Sequence, residues 1–240
     1  MADPIKQFEI KPLIPIKMND IDLSFTNSSL FMVIAVFVAI FFLFYATRKK
    51  SIIPGASQSF AEVLYQFVDS IMMENIGIEG KKFFPLIFTI FLFIACGNLI
   101  GVIPYTFTYT SHASVVGGVA VFSLILNTVV GIKKKGWGWL HTFLPHGTPI
   151  IAAPIVVPIE IVSFLSKPFS LTVRLVANMM VGHIMLKVIA GFVVKLKAFG
   201  FVPLIFICIL VLFEAGIAFL QAYIFTVLSC IYLNEALHDH

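Results

Sequence analysis

The longest apolar stretch of the sequence, residues 150–194, reads IIAAPIVVPIEIVSFLSKPFSLTVRLVANMMVGHIMLKVIAGFVV. At about 1.5 Å per residue, one helix of this length would measure roughly 65 Å, about twice the hydrocarbon thickness of a bilayer. The stretch therefore forms either a hairpin of two spans or one strongly tilted helix, and hydropathy alone does not choose between them. Pro154, Pro158 and Pro168 mark the points where such a helix could bend.

Further apolar segments lie on both sides of this stretch. Residues 201–233 form a second long stretch with the same two alternatives, and segments that each fit a single crossing are residues 30–47, 83–103 and 113–132. The apolar runs are continuous rather than alternating, and a bilayer requires every backbone amide to be bonded internally, so helices are expected rather than a β-barrel. The predicted fold class is an all-α polytopic membrane protein.

The composition supports the same class. Hydrophobic residues make up 60% of the 240 residues and charged residues 12%, and the mean hydropathy is +1.03. This leaves too little polar surface to cover a soluble globule, which excludes a soluble enzyme, a disordered chain and a nucleic-acid-binding protein. The cysteines are isolated within apolar runs, so we expect no disulfide framework, no metal site and no other cofactor.

Two other segments are more polar. Residues 1–28 are predicted to form a polar N-terminal tail. Residues 57–77 predict an amphipathic helix on the membrane surface, because polar side chains recur every three to five positions opposite an apolar face. These polar residues are Gln58, Glu62, Gln66, Asp69 and Glu74. No internal repeat is evident, which argues against a transporter built from duplicated halves.

The basic residues predict the orientation of the chain. They cluster at residues 48–50, 81–82 and 133–135, at the ends of the three short spans. These ends are expected to face the cytoplasm-like side of the membrane. Residues 104–112 carry no Lys or Arg, as expected of an outer loop. The first long stretch then runs from the inside to the outside, and the second returns.

Ionisable groups at membrane depth concentrate in the two long stretches. At about 100° per residue, six polar residues fall on one face of the first stretch: Glu160, Ser163, Lys167, Ser170, Arg174 and Asn178. Relative to Arg174, Glu160 lies about 21 Å toward the inside and His183 about 13 Å toward the outside. The second stretch offers Glu214 and Gln221 on a common face, with Glu214 in the same outer half as His183.

This order indicates an interrupted proton path. His183 and Glu214 can relay a proton from the outer aqueous side, and Glu160 can pass one to the inner side. Arg174 keeps its charge and repels a proton that would pass straight through. The proton must therefore leave on a carboxylate of a moving partner, which is neutral while it faces lipid and ionised beside Arg174.

Other interpretations remain open from the residues alone. Arg174 can pair with a glutamate to hold a helix bundle together, and Asn178 and Gln221 can serve as interhelical hydrogen-bonding residues. Lys167 can extend its ammonium group to the inner membrane surface. For the whole chain, the alternatives are a stand-alone ion channel or secondary transporter gated by Arg174 and Glu214, and an inert membrane scaffold.

Two motifs resemble those of a known family. Residues 170–183, SLTVRLVANMMVGH, and residues 220–234, LQAYIFTVLSCIYLN, closely resemble the signatures of subunit a, also called subunit 6, of F-type ATP synthases. Three further segments are similar to the alphaproteobacterial and mitochondrial branch of that family: residues 7–13, 23–32 and 104–112. The resemblance covers nearly the whole chain.

In that family the two long stretches are single, steeply tilted helices that form a hairpin along a rotating ring of c subunits. The resemblance implies that Arg174 is the essential arginine facing the ring carboxylate, with Asn178 and Gln221 as its neighbours. The charge at Lys167 is typical of the family, although arginine is expected there in many relatives.

The resemblance further implies that His183 and Glu214 line an outer half-channel and that Glu160 belongs to an inner one. Some relatives exchange the acid and the imidazole between positions 183 and 214, which favours one shared proton site. The implied function is a proton-translocating stator subunit that couples proton flow through two offset half-channels to ring rotation and ATP synthesis. The implied partners are the c-ring, subunit b or a peripheral stalk, the rest of the F1F0 complex and the lipid bilayer.

We expect no catalytic site in the chain itself. The nucleotide-binding motif G-x-x-x-x-G-K-[ST] does not occur in the sequence, and ATP would form in the F1 partner. The expected location is an energy-transducing membrane, and the sequence fits both a bacterial inner membrane and a mitochondrial inner membrane.

Overall fold

Six α-helices dominate the structure, a computed structural model that describes residues 8–15, 17–18, 21–22, 24–48, 51–103, 106–136, 138–139 and 152–237. Within these ranges the helices are α1 (Asn27–Thr47), α2 (Ala56–Asn75), α3 (Phe84–Val102), α4 (Ala113–Lys135), α5 (Ala153–Lys195) and α6 (Phe201–Leu237). Short 3₁₀ helices precede α3, follow α3 and join α5 to α6: Ile78–Phe83, Tyr109–Ser111 and Lys197–Gly200.

Most of these helices are suited to a bilayer. In the described part of the chain, α1, α4, α5, α6 and α3 together with the preceding 3₁₀ helix are long and apolar enough to cross a membrane. The remaining helix, α2, carries polar residues along one side. The predicted class of an all-α polytopic membrane protein is therefore confirmed.

The two long apolar stretches each form one continuous helix. α5 has 43 residues and α6 has 37, which excludes a hairpin of two spans within either stretch. At about 1.5 Å per residue they measure about 65 and 55 Å, so each can cross about 30 Å of hydrocarbon only at a steep tilt. Pro158 and Pro168 lie inside α5 without ending it. The turn to α6 requires Gly200, because an added Cβ would lie 2.6 Å from the Val193 carbonyl oxygen.

The core lies around α6, which packs against α2, α3, α4 and α5. Ala218 and Ala222 of α6 are fully buried, and such small side chains allow helices to approach closely in a membrane. Asn98 of α3 donates a hydrogen bond from Nδ2 to the Ala218 carbonyl oxygen at 3.1 Å. Large side chains such as Phe91 and Phe225 fill the space between these close contacts. The result is a fixed register of α6 within the bundle.

One part of the apolar face of α2 packs against the rest of the protein, and another part is exposed. Val68, Ile71 and Met72 are buried in the core of the bundle. Phe60 and Val63, nearer the start of the helix, are exposed. The end of α2 is therefore anchored to the protein, while its first turns present apolar side chains outward.

The N-terminal segment contains short strands that its polar sequence did not predict. β1 (Pro12–Ile14) pairs antiparallel with β4 (Phe25–Thr26), and β2 (Lys17–Met18) pairs with β3 (Ile21–Asp22). The Asn27 side chain stabilises this arrangement, because its Oδ1 accepts a hydrogen bond from the Lys11 amide at 3.1 Å. The partners are sixteen residues apart, so local patterning carries no signal for the pairing.

The lysine-rich ends of the helices meet at one end of the bundle. Lys167 of α5 forms an ion pair with Glu235 of α6, with Nζ and Oε2 2.5 Å apart. Lys135 of α4 donates to the Glu235 carbonyl oxygen at 3.2 Å. Glu235 thus joins α4, α5 and α6.

Candidate functional site

An acid and an imidazole meet where α5 crosses α6. His183 Nε2 lies 3.8 Å from Glu214 Oε1, and only 13% and 7% of the two side chains are exposed. Within the described residues, neither carboxylate oxygen of Glu214 has a hydrogen-bond partner. A buried carboxylate without partners is costly unless it binds water or a proton, so this pair is suited to proton exchange.

A glycine makes this approach possible. Gly182 precedes His183 on α5, and a Cβ added there would lie 2.6 Å from Glu214 Oε1. The absent side chain leaves room for the carboxylate against the helix backbone. Sequence reasoning did not assign Gly182 a role, although a glycine inside a long membrane helix is itself a signal of close packing.

Two segments far away in the sequence also contact His183. Thr108 Oγ1, in the loop between α3 and α4, lies 2.9 Å from His183 Nε2. The Phe8 ring meets the imidazole edge to face, with the ring centroids 6.0 Å apart. Sequence reasoning missed both residues, because neither lies on a polar stripe or in a motif that includes His183.

Arg174 lies midway along α5 and is exposed. The buried face of this part of α5 consists of Leu171, Thr172, Leu175 and Met179, whereas Arg174 and Asn178 are exposed. No carboxylate among the described residues forms a salt bridge with Arg174. The guanidinium is therefore a charge at membrane depth that the described part of the chain does not neutralise.

The remaining predicted site residues lie further apart. Gln221 is buried on α6, two turns from Glu214. Glu160 is half-buried on α5, and the helical rise puts it about 21 Å from Arg174 toward the lysine-rich end. The structure thus joins His183 and Glu214 in one contact and leaves Glu160 separate from them.

Two titratable groups near the pair lie in the loop outside the spans. Burial lowers the pKa of His112, whose ring stacks on Phe107 with the centroids 5.1 Å apart. Burial also raises the pKa of the Tyr109 hydroxyl, which donates a hydrogen bond to the Phe93 carbonyl oxygen at 2.8 Å. Burial therefore favours the neutral form of both groups.

The fold and the site together define a class of protein. The chain is a multi-pass helical membrane protein in which a buried acid and imidazole lie on one side of an arginine that forms no salt bridge within the described ranges. Ionisable residues placed in this way mark an ion or proton pathway through the membrane.

Comparison with known proteins gives the family. The ATP synthase A chain family matches residues 29–234. The chain is 49% identical to ATP synthase subunit a of Paramagnetospirillum magneticum and to that of Rhodospirillum rubrum, and each match covers 100% of both chains. It is 50% identical to ATP synthase subunit a of Mesorhizobium japonicum, over 99% of this chain and 97% of the relative. The chain therefore belongs to the ATP synthase subunit a family, which confirms the resemblance drawn from the motifs.

Family membership fixes the general function and location. The chain is a proton-translocating subunit of the membrane sector of an ATP synthase. It is a multi-pass protein of an energy-transducing inner membrane, in agreement with its five apolar helices in the described ranges.

We expect Gly182→Ala to reduce ATP-driven proton pumping by roughly tenfold without loss of assembled complex. The added methyl group would displace the Glu214 carboxylate, which is the end of a flexible side chain and moves more easily than the α5 backbone. Pumping is measured in inverted vesicles with a pH-sensitive dye. Gly191→Ala is the matched control, because nothing lies within 4 Å of a Cβ added there on the same helix. Equal pumping by the two variants would contradict the prediction.

Proposed function

We propose that this chain is the stator that couples proton flow to rotation of a ring of c subunits, through two offset half-channels separated by Arg174. The observation that carries the proposal is the position of Arg174, exposed midway along α5 and without a carboxylate partner among the described residues. An isolated charge at membrane depth costs several kcal/mol. A carboxylate of the adjacent ring supplies the missing counter-charge each time it passes.

The outer half-channel ends at His183 and Glu214. A proton from the outer aqueous phase reaches the imidazole and passes to the carboxylate, whose two oxygens are buried and without hydrogen-bond partners in the described structure. From Glu214 the proton moves to an ionised carboxylate of the ring. Gln221, on the same helix two turns away, donates hydrogen bonds to the ring carboxylate near Arg174.

Arg174 is the barrier between the half-channels. Its guanidinium stays charged, so it repels a free proton and attracts an ionised ring carboxylate. The carboxylate must be neutral when it turns into lipid, because desolvation disfavours the charged form. Each ring carboxylate therefore takes up a proton on the outer side, travels around the ring and releases the proton on the inner side, where Asn178 and Arg174 stabilise the ionised form.

The inner half-channel leads past Glu160. This residue is half-buried on the same polar face of α5, about 21 Å from Arg174 toward the lysine-rich end. A proton released beside Arg174 reaches the inner aqueous phase through this carboxylate. Lys167 does not bind the Glu160 carboxylate, because its ammonium group is paired with Glu235.

The energy for synthesis comes from the membrane potential and the pH gradient. Each proton that crosses the full membrane releases about 2.3 kcal/mol per 100 mV. ATP forms in the F1 part of the complex, and the chain contributes the path and the barrier. Subunit b or a peripheral stalk holds the chain still, so that the ring rotates against it.

Reconstitution into vesicles tests the proposal. The chain alone, the chain with a c-ring and the complete complex are compared for proton flux under an imposed potassium diffusion potential. We expect little flux from the chain alone and clear flux with the ring, which disappears when the ring carboxylate is replaced by an amide. Full flux from the chain alone would identify a stand-alone channel or transporter. No flux with a functional ring would identify a scaffold.

A further inference from the structure

The loop between α3 and α4 is seated in a groove of α3. A Cβ added to Gly97 would lie 2.2 Å from the Tyr109 hydroxyl oxygen, and one added to Gly101 would lie 2.6 Å from Thr108 Cγ2. Tyr109 is fully buried, and its hydroxyl donates to the Phe93 carbonyl oxygen at 2.8 Å. A pair of glycines four residues apart usually lets two membrane helices pack closely. Here the loop before α4, rather than a second helix, packs against the two glycines.

This seating fixes the hydroxyl of Thr108 beside the proton-carrying pair. Thr108 is buried, and its Oγ1 donates a hydrogen bond to the Gly101 carbonyl oxygen at 3.4 Å. The same oxygen lies 2.9 Å from His183 Nε2. A hydroxyl group has only one hydrogen to donate. With that hydrogen on the Gly101 carbonyl, Oγ1 accepts from a His183 that carries its proton on Nε2; with the hydrogen turned toward Nε2, Oγ1 donates to the imidazole. In both cases the 2.9 Å contact holds Nε2 in place.

The same nitrogen also faces the carboxylate that receives the proton. Nε2 lies 2.9 Å from Thr108 Oγ1 and 3.8 Å from Glu214 Oε1. The Phe8 ring closes another side of the imidazole. Among the described residues, two oxygen atoms therefore face Nε2. Thr108 Oγ1 is held in place by the loop, and Glu214 Oε1 lies at the end of a flexible side chain.

We infer that Thr108 is a positioning residue of the proton path: its hydroxyl group holds His183 Nε2 within reach of Glu214 Oε1. The inference rests on the proposed function of the pair. For the transfer of one proton, His183 starts with its own proton on Nε2. Nδ1 then takes up a proton from the outer side and Nε2 releases its proton to Glu214 Oε1, so the imidazole is neutral before and after. Rotation of the His183 imidazole then brings its protonated nitrogen back to Thr108.

Two substitutions at position 108 separate the hydroxyl from the packing of the side chain. Thr108→Val keeps the shape and removes the hydroxyl, whereas Thr108→Ser keeps the hydroxyl and removes the methyl group that contacts Gly101. In the complete complex, we expect Thr108→Val to slow proton-driven ATP synthesis roughly 3- to 10-fold and Thr108→Ser to stay near the native rate. The slowed variant should also show a larger ratio of rates in H₂O and D₂O.

The reverse order, with Thr108→Ser slower than Thr108→Val, would mean that Thr108 only fills the groove and would overturn the inference. The amount of assembled complex in the membrane is measured for both variants, so that a folding defect is recognised.

Combination with a change at His183 separates this inference from the proposed function. If Thr108 acts through His183, then Thr108→Val causes no further loss in a His183→Ala background. A native rate for His183→Ala alone would remove His183 from the path and overturn the proposed outer half-channel. Slow synthesis by His183→Ala together with a native rate for Thr108→Val would overturn only the role of Thr108.

Discussion

Vesicles that carry Arg174→Ala are expected to synthesise ATP at least about 100-fold more slowly than the native complex under the same protonmotive force. Without the guanidinium, nothing repels a proton that passes directly between the half-channels, and nothing stabilises the ionised ring carboxylate at membrane depth. Protons then cross without turning the ring. Synthesis is measured by luciferase after an acid-to-base jump, and passive proton flux is measured in the same vesicles.

Arg48→Ala is the matched control for this experiment. Arg48 is the other arginine of the sequence, is exposed and follows the end of α1. We expect native synthesis from that variant. Arg174→Lys should restore little, because an ammonium lacks the planar fork of the guanidinium and loses its proton more readily at membrane depth, where it is poorly solvated. A native rate of ATP synthesis by Arg174→Ala would contradict the proposal that Arg174 is the barrier between the half-channels.

Glu214→Gln should slow proton-driven ATP synthesis by about 10- to 100-fold. The amide has the shape of the acid, so the packing against Gly182 is retained, but it can neither take up nor release a proton. The effect is expected in both directions of operation, and it is measured as synthesis and as ATP-driven acidification of inverted vesicles. Glu74→Gln, at an exposed acid near the end of α2, is the control for loss of a charge.

A double substitution tests whether the two groups form one site. Glu214→His alone places two imidazoles together, and His183→Glu alone places two acids together. Because the pair lies within 3.8 Å, we expect the combination of both changes to recover more activity than either change alone. Additive losses in the double variant would show that positions 183 and 214 act independently.

Depth and helix class are readable from the sequence because they depend on composition over long windows. The apolar runs predicted the membrane class, and the 100° periodicity put Arg174 and Asn178 on one face of α5. In the structure both residues are exposed on α5. The choice between one helix and two in residues 150–194 needed the structure or a relative, since hydropathy is the same in either case.

Contacts between distant segments were not readable in this way. Thr108 reaches His183 from 75 residues away, and Gly182 matters only because Glu214 lies opposite it. The ion pair between Lys167 and Glu235 also depends on how α5 and α6 are aligned. Periodicity assigns a residue to a face and a depth, whereas these contacts depend on which helix packs against that face.

The unbroken course of α5 has a mechanical consequence. Glu160 and His183 are about 34 Å apart along one helix, and an oblique helix axis displaces them sideways as well as vertically. In the proposed mechanism, the two half-channels therefore open at different points around the ring of c subunits. In this mechanism, a proton that enters through one half-channel travels most of the way around the ring before it leaves through the other. In the proposed mechanism, the slope of this single helix therefore sets the direction in which the ring turns for a given direction of proton flow.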